Sequence, residues 1–282
     1  MHRLFSAVFA IVMPSGVLFS KLCTMANNKL KRKGGSEMIK AILFDLDDTL
    51  LSINLAAFMA RYTADLSDML ARIGRVSSPR AAAALATAYL AMQNDARDDN
   101  LTNAEVFINA VKQRIDVDFE DAVVADALDF YDREVLPTRN SSIIHAVPRE
   151  GAHEAIEQAR DMGLIVALAT NPAFSEGCLQ TRLGWAHLTL DTFDLVSHIG
   201  NSHRLKPHAR YFQEFVATLK LTPEECLMVG NDATRDFPRP DVGLKTAYVG
   251  HARPKRAVWR GDTAAFAREL PALVDRLNTL GR

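Results

Sequence analysis

The sequence predicts an α/β protein, a doubly wound parallel sheet whose path is broken early by an all-helical insertion. Short apolar runs of four to six residues alternate with amphipathic segments from Pro148 onward, the pattern of strands joined by crossover helices. Residues 53–145 show helical periodicity alone. The apolar runs also end in acidic or polar residues, as expected where strands buried on both faces carry function at their carboxyl ends.

Ile39 to Phe44 is the first strand, apolar until the acidic cluster that begins at Asp45. Phe58, Tyr62, Leu66, Met69, Leu70 and Ile73 then fall at three- and four-residue spacing, as do Leu85, Ala88, Tyr89 and Met92. Val106, Phe107, Ala110 and Val111 follow a capping box from Thr102 to Glu105, and a fourth amphipathic segment runs from about Asp121 to Val135 and stops before Pro137. Next come a helix near Gly151 to Met162, a strand at Leu164 to Ala169, a helix after Pro172 and a strand at Leu195 to His198. A helix at Ala209 to Leu219, strands at Cys226 to Val229 and Thr246 to Val249, and a last helix from Thr263 to Leu280 complete the chain. The basic run Arg253 to Arg260 reads as a solvated loop, and Arg204 as a solvated loop charge.

At about 150 residues per domain, a chain of 282 residues suggests two domains. The expected division is a leader or disordered segment at 1–37, a core made of 38–52 and 146–282, and a helical cap at 53–145. A formal net charge of -1 gives no reason to expect a nucleic-acid partner. That balance conceals unlike parts: residues 1–40 carry seven basic side chains against Glu37 alone, and residues 53–145 carry nine against fourteen acidic ones. Cys23, Cys178 and Cys226 are too few and too scattered for a disulfide framework, which favours a reducing compartment, and Cys178 and Cys226 read as core positions. The apolar run Leu4 to Phe19 imitates a secretory signal but is interrupted by Pro14 and Gly16. The expectation is a cytoplasmic protein, monomer or homodimer, without stable membrane association.

In an open parallel sheet the residues just after each strand converge on one crevice. Here they are Asp45, Asp47, Asp48 and Thr49; Thr170 and Asn171; Lys206; and Asn231, Asp232 and Asp236. Clustered carboxylates repel unless a cation sits among them, and oxygen donors suit a hard ion, so Mg2+ is the natural guest. A lysine, hydroxyl and amide donors around an anion held by such an ion describe phosphoryl transfer, where catalysis is mostly positioning and charge stabilisation. Asp45 is suited to attack phosphorus as nucleophile. Asp47, two residues on, can act as general acid and then base. Thr49, Thr170, Asn171 and Lys206 would hold the phosphoryl oxygens.

These residues resemble a known family. Asp45-Leu46-Asp47-Asp48-Thr49 is similar to the D-x-D-x-T motif of the haloacid dehalogenase-like hydrolases, and Thr170, Lys206 and the segment Gly230 to Asp236 follow in the family's order. The resemblance implies a Rossmann-like core with a type 1 helical cap and a phosphatase acting on a small phosphorylated substrate through an aspartyl phosphate on Asp45. It implies a Mg2+ ion held by Asp45, by the backbone carbonyl of Asp47 and by an acidic side chain after the fourth strand. Relatives often place that acid directly after the glycine, where this chain has Asn231, so Asp232 is the expected ligand, Asn231 the alternative oxygen donor and Asp236 the partner of Lys206 or of metal-bound water. Other activities in the same superfamily are 2-haloacid dehalogenation, which generally lacks the second Asp, and phosphomutation. A non-catalytic binding protein would be expected to have lost Asp45, Asp47 or Lys206.

Overall fold

A computed structural model describes residues 38–280. Residues 1–37, with Cys23 and the apolar run Leu4 to Phe19, lie outside the described residues. The first strand, β1 (Ala41–Phe44), is fully buried, as a run without alternation should be in a sheet covered on both faces. A two-residue strand β2 (Leu51–Ser52) follows. The insertion then runs through α1 (Leu55–Ile73), α2 (Ser78–Met92), α3 (Asn103–Lys112) and α4 (Ala122–Phe130). The chain returns through β3 (Val147–Pro148), which pairs antiparallel with β2. This small ladder at the base of the insertion is too short to carry a periodic signal.

Local chemistry accounts for the helices of the insertion. Asn54 accepts from the Ala57 amide to start α1, and Phe58, Tyr62, Leu66 and Leu70 form its buried stripe. Thr102 and Glu105 form the expected reciprocal capping box on α3. The fourth segment is less regular than its periodicity suggests. It passes from α4 into a π-helical turn at Tyr131–Val135 and a 3-10 turn at Leu136–Arg139.

The remaining elements are α5 (Ala152–Asp161), β4 (Ile165–Leu168), α6 (Glu176–Trp185), β5 (Leu195–Val196), α7 (Ala209–Thr218), β6 (Cys226–Gly230), β7 (Lys245–Val249), β8 (Trp259–Gly261) and α8 (Thr263–Leu280). The sheet runs β5-β4-β1-β6-β7-β8 with every pair parallel. β1 is central, and successive side chains serve opposite layers. Ile42 and Phe44 join the core that contains Ala155 of α5 and Phe266 and Leu270 of α8, whereas Ala41 and Leu43 pack in the core that contains Tyr211, Phe212 and Phe215 of α7. The chain moves from β1 outward to β4 on one side and later to β6 on the other, so a topological switch point lies beside β1, where open α/β sheets bind ligands.

Two expectations need correction. The basic run is not all loop, because Trp259–Gly261 forms the edge strand β8, anchored by the buried Trp259 ring 5.3 Å from that of Phe266. Arg204 is 2% exposed, not solvated. It donates to the backbone carbonyls of Arg97, Asp99 and His203, which ties the α2–α3 loop to the core. Cys178 and Cys226 are buried as expected. Among the described residues no helix is long and apolar enough to cross a membrane.

Candidate active site

Register places the site. Phe44 lies opposite Leu168 of β4 and Val229 of β6, so three strands end level with one another. The Asp45 amide is spent on the Val229 carbonyl at 2.9 Å, and the Ala169 amide on Phe44 at 2.8 Å. Asp45 therefore leaves the sheet between Thr170 and Gly230. Asp48 takes a left-handed backbone conformation, φ 53°, in the turn that returns the chain to β2.

The centre is an ion cluster. Lys206 Nζ donates to Asp45 at 2.9 Å and to Asp236 at 2.7 Å, and its side chain is fully buried. Asp236 reaches this place because Gly230 has no side chain: a Cβ there would overlap the Asp236 carboxylate. Burial raises the Asp45 carboxyl to about 7, Lys206 opposes this, and Asp236 and Asp47 add to it. Burial would lower the Lys206 ammonium, but Asp236 and Asp45 outweigh it and hold it above its ordinary value. Negative charge is thus in excess around Asp45, the condition under which a bound cation is favoured.

The other expected residues sit around this cluster. Thr49 is buried, and its hydroxyl lies 3.5 Å from Asn231 Oδ1. Thr170 is buried, with its carbonyl accepting from the Ser197 hydroxyl at 2.8 Å and the Tyr211 hydroxyl at 2.9 Å. Asn171 accepts from the Lys206 amide at 3.2 Å. The cap of α6 is Ser175, which leaves Thr170 free of that role. Asp232 stands apart from this group. Its carboxylate accepts from the Thr234 amide and hydroxyl at 2.8 and 2.6 Å and faces Arg235. His198 and His203 pair with Glu176 and Glu214, and His208 caps α7, so none faces Lys206 as a ligand.

Asp47 is held by a residue that sequence reasoning missed. Arg182 of α6 donates through Nη2 to Asp47 Oδ1. The Arg182 side chain is wholly buried, with its guanidinium 4.5 Å from the ring centre of Phe174 and 5.1 Å from that of Phe58 in α1. Its Nε and Nη1 have no partner among the described residues, a cost of about 1–3 kcal/mol per group that the two aromatic faces offset in part. Burial, the largest influence, would lower this guanidinium, but the groups around it, Asp47 first among them, together outweigh it and keep it raised.

Two open hollows of about 430 and 480 Å3 lie elsewhere. One is on the face of α7 near His203 and Glu214, the other between β3 and the start of α8 near Arg149 and Arg268. Neither is lined by Asp45, Asp47 or Lys206.

The ordered strand-end residues find their counterpart in the family model for haloacid dehalogenase-like hydrolases, which matches residues 39–238. The chain belongs to that family. Among curated relatives, it is 24% identical over 221 residues to a glyceraldehyde 3-phosphate phosphatase of Pyrococcus furiosus, a match covering 76% of this chain and 82% of the other. It is 26% identical over 137 residues to the pyrophosphatase PpaX of Halalkalibacterium halodurans, covering 48% of this chain and 62% of that protein's length. A crystal structure of a HAD phosphatase from Thermococcus onnurineus has the same fold, with a TM-score of 0.52 at 20% identity over 83% of this chain and 98% of that one.

Within this HAD-like chain, Arg182 had one sequence signal. It lies four residues after Cys178 and between Leu179 and Leu183, on the buried stripe of α6. A charge at a position that periodicity assigns to the core needs a partner, and Asp47 is that partner.

Proposed function

We propose that this chain is a Mg2+-dependent phosphatase of small phosphorylated metabolites that works through an aspartyl phosphate. The observation that carries this reading is the Asp45–Lys206–Asp236 cluster at the end of β1, with Asp47 two residues beyond the nucleophile position. Asp45 attacks phosphorus as the bond to the leaving oxygen breaks, and Asp47 gives that oxygen its proton. Water then attacks the aspartyl phosphate, Asp47 takes its proton back from the water, and phosphate leaves as Asp45 is regenerated. Lys206 supplies fixed positive charge to the phosphoryl oxygens, with Thr49, Thr170 and Asn171 as neutral donors. Lys206, Thr49 and Asn171 already have their side chains oriented by hydrogen bonds, which limits reorganisation during the reaction.

The donor set around Asp45 fits Mg2+. The Asp45 carboxylate, the Asp47 carbonyl and an amide or carboxylate oxygen from Asn231 or Asp232 are all hard oxygen donors. Although no group of three His, Cys, Asp or Glu among the described residues forms a metal cage, Mg2+ keeps several waters and needs only one or two carboxylates. Asn231 has the easier approach, because its side chain already faces Thr49, whereas Asp232 would have to leave Thr234. Bound there, the ion supplies charge neutralisation for Asp45 and the transferring phosphoryl group. The curated relatives named as a phosphatase and a pyrophosphatase support phosphate-ester or anhydride substrates.

Asp45→Asn should abolish hydrolysis of 4-nitrophenyl phosphate in the presence of Mg2+ while the melting temperature stays near that of the wild type. Undiminished turnover in the variant refutes the assignment of the nucleophile. Activity that persists after EDTA treatment refutes the metal.

A further inference from the structure

Buried arginines are rare, and one with a single hydrogen bond and two sealed, unpartnered N–H groups is poorly explained by packing, since an apolar side chain of similar length would fill the space without that cost. Among the described residues Arg182 makes one hydrogen bond, to Asp47. The guanidinium sits in the corner between the ring of Phe174, which precedes α6, and that of Phe58, which belongs to the helical insertion, two rings whose centres are 5.8 Å apart. A carboxylate needs only one oxygen to carry a proton, and an arginine can only donate. With Oδ1 committed to Arg182, the proton of Asp47 is confined to Oδ2, which takes no hydrogen bond from the described residues. The aromatic corner holds the arginine, the arginine holds the carboxylate, and the carboxylate is left with one oxygen for chemistry.

We propose that Arg182 is a positioning residue that orients the Asp47 carboxylate for proton transfer to the leaving group, and that Phe58 couples this orientation to the seating of the helical insertion. The inference rests on the phosphatase reading and deepens it. Arg182 touches neither substrate nor phosphorus in this scheme. Its removal should therefore hurt most where the leaving oxygen most needs a proton.

The test uses the full-length protein with Mg2+ and three esters of similar shape: 2,4-dinitrophenyl, 4-nitrophenyl and phenyl phosphate. Dinitrophenolate leaves without protonation, whereas phenolate needs it. Arg182→Met should lower kcat/KM for phenyl phosphate by about 10²-fold, the scale of general-acid catalysis, and for the dinitrophenyl ester by less than about threefold, well under that scale. Asp47→Asn should steepen the same dependence on leaving group. In the Asp47→Asn background Arg182→Met should add nothing further on phenyl phosphate, because the two act as one unit. Arg182→Lys, which retains a cationic donor group, should recover part of the phenyl phosphate activity.

Equal losses across the three esters, or additive losses in the double variant, would overturn the inference and leave Arg182 a packing residue. If Arg182→Met does not fold, Phe58→Leu removes one wall of the aromatic corner instead, and an unchanged leaving-group dependence there overturns the inference equally. Wild-type protein without Asp45-dependent turnover of any of the three overturns the phosphatase reading itself, and this inference with it.

Discussion

Asp132 lies in the π-helical turn after α4, 8% exposed, and accepts from the Ser175 hydroxyl at 2.5 Å where the insertion meets α6. Burial is the largest influence on its carboxyl and pushes it up to about 7 from an ordinary 3.8, with Ser175 opposing and Asp129 adding. The folded state therefore holds this proton to higher pH than the unfolded chain does. Its contribution to stability is complete below about pH 4 and is lost as pH rises through about 7. Replacement by asparagine keeps the shape and an acceptor for Ser175 but cannot ionise. At about 1.4 kcal/mol per pH unit between those limits, Asp132→Asn should gain on the wild type by about 3 kcal/mol between pH 5 and pH 8.5. For a folded part of this size that is roughly 6–12 °C of melting temperature. Thermal melts of both proteins at the two pH values measure the gap directly. A gap that stays constant with pH, or that narrows as pH rises, refutes the claim that Asp132 is ionised at a cost in the folded protein.

Gly230→Ala should cost about 1–3 kcal/mol by overpacking. It should also lower phosphatase activity, because the new methyl displaces Asp236 from Lys206; unchanged activity in a folded variant would show that this pair is dispensable. Arg204→Met removes the donor shared by the Arg97 and Asp99 carbonyls. It should raise amide hydrogen exchange across residues 97–104 well above the rest of the insertion, and uniform protection there would mean that the α2–α3 loop is held by other contacts.

The strand ends were legible because parallel topology makes sequence order into geometry. Once Ile39 to Phe44, Leu164 to Ala169 and Cys226 to Val229 are read as neighbouring strands, Asp45, Thr170 and Asn231 must emerge at one edge. Lys206, read from the loop after the third strand, lies at that edge in the structure, bonded to Asp45 and Asp236. The loop conformation that turns Asp232 toward Thr234 was not legible, because it depends on local hydrogen bonds within Asn231 to Asp236 that no periodicity encodes. β8 was hidden for another reason: an edge strand of three residues in a basic stretch has no alternation to detect, and only the burial of Trp259 against Phe266 defines it.

Arg182 and Arg204 were both missed as functional anchors, and the omission has one physical cause. Scales that sort residues by polarity place arginine outside, yet a long side chain can bury its whole length when carbonyls, carboxylates or ring faces meet its head. In this chain those partners come from the helical insertion and the core together. Arg204 reaches Arg97 and Asp99, Asn103 of α3 donates to the Pro172 carbonyl, and Arg182 stacks on Phe58. The insertion is thus held by α6 and by the loops after β4 and β5, and those loops also carry Thr170, Asn171 and Lys206. Movement of the insertion therefore cannot leave these site residues unaffected, since the hydrogen bonds and ring contacts that seat the one also constrain the other. Under the proposed mechanism, that shared anchorage links the seating of the insertion, through Phe58 and Arg182, to the orientation of Asp47.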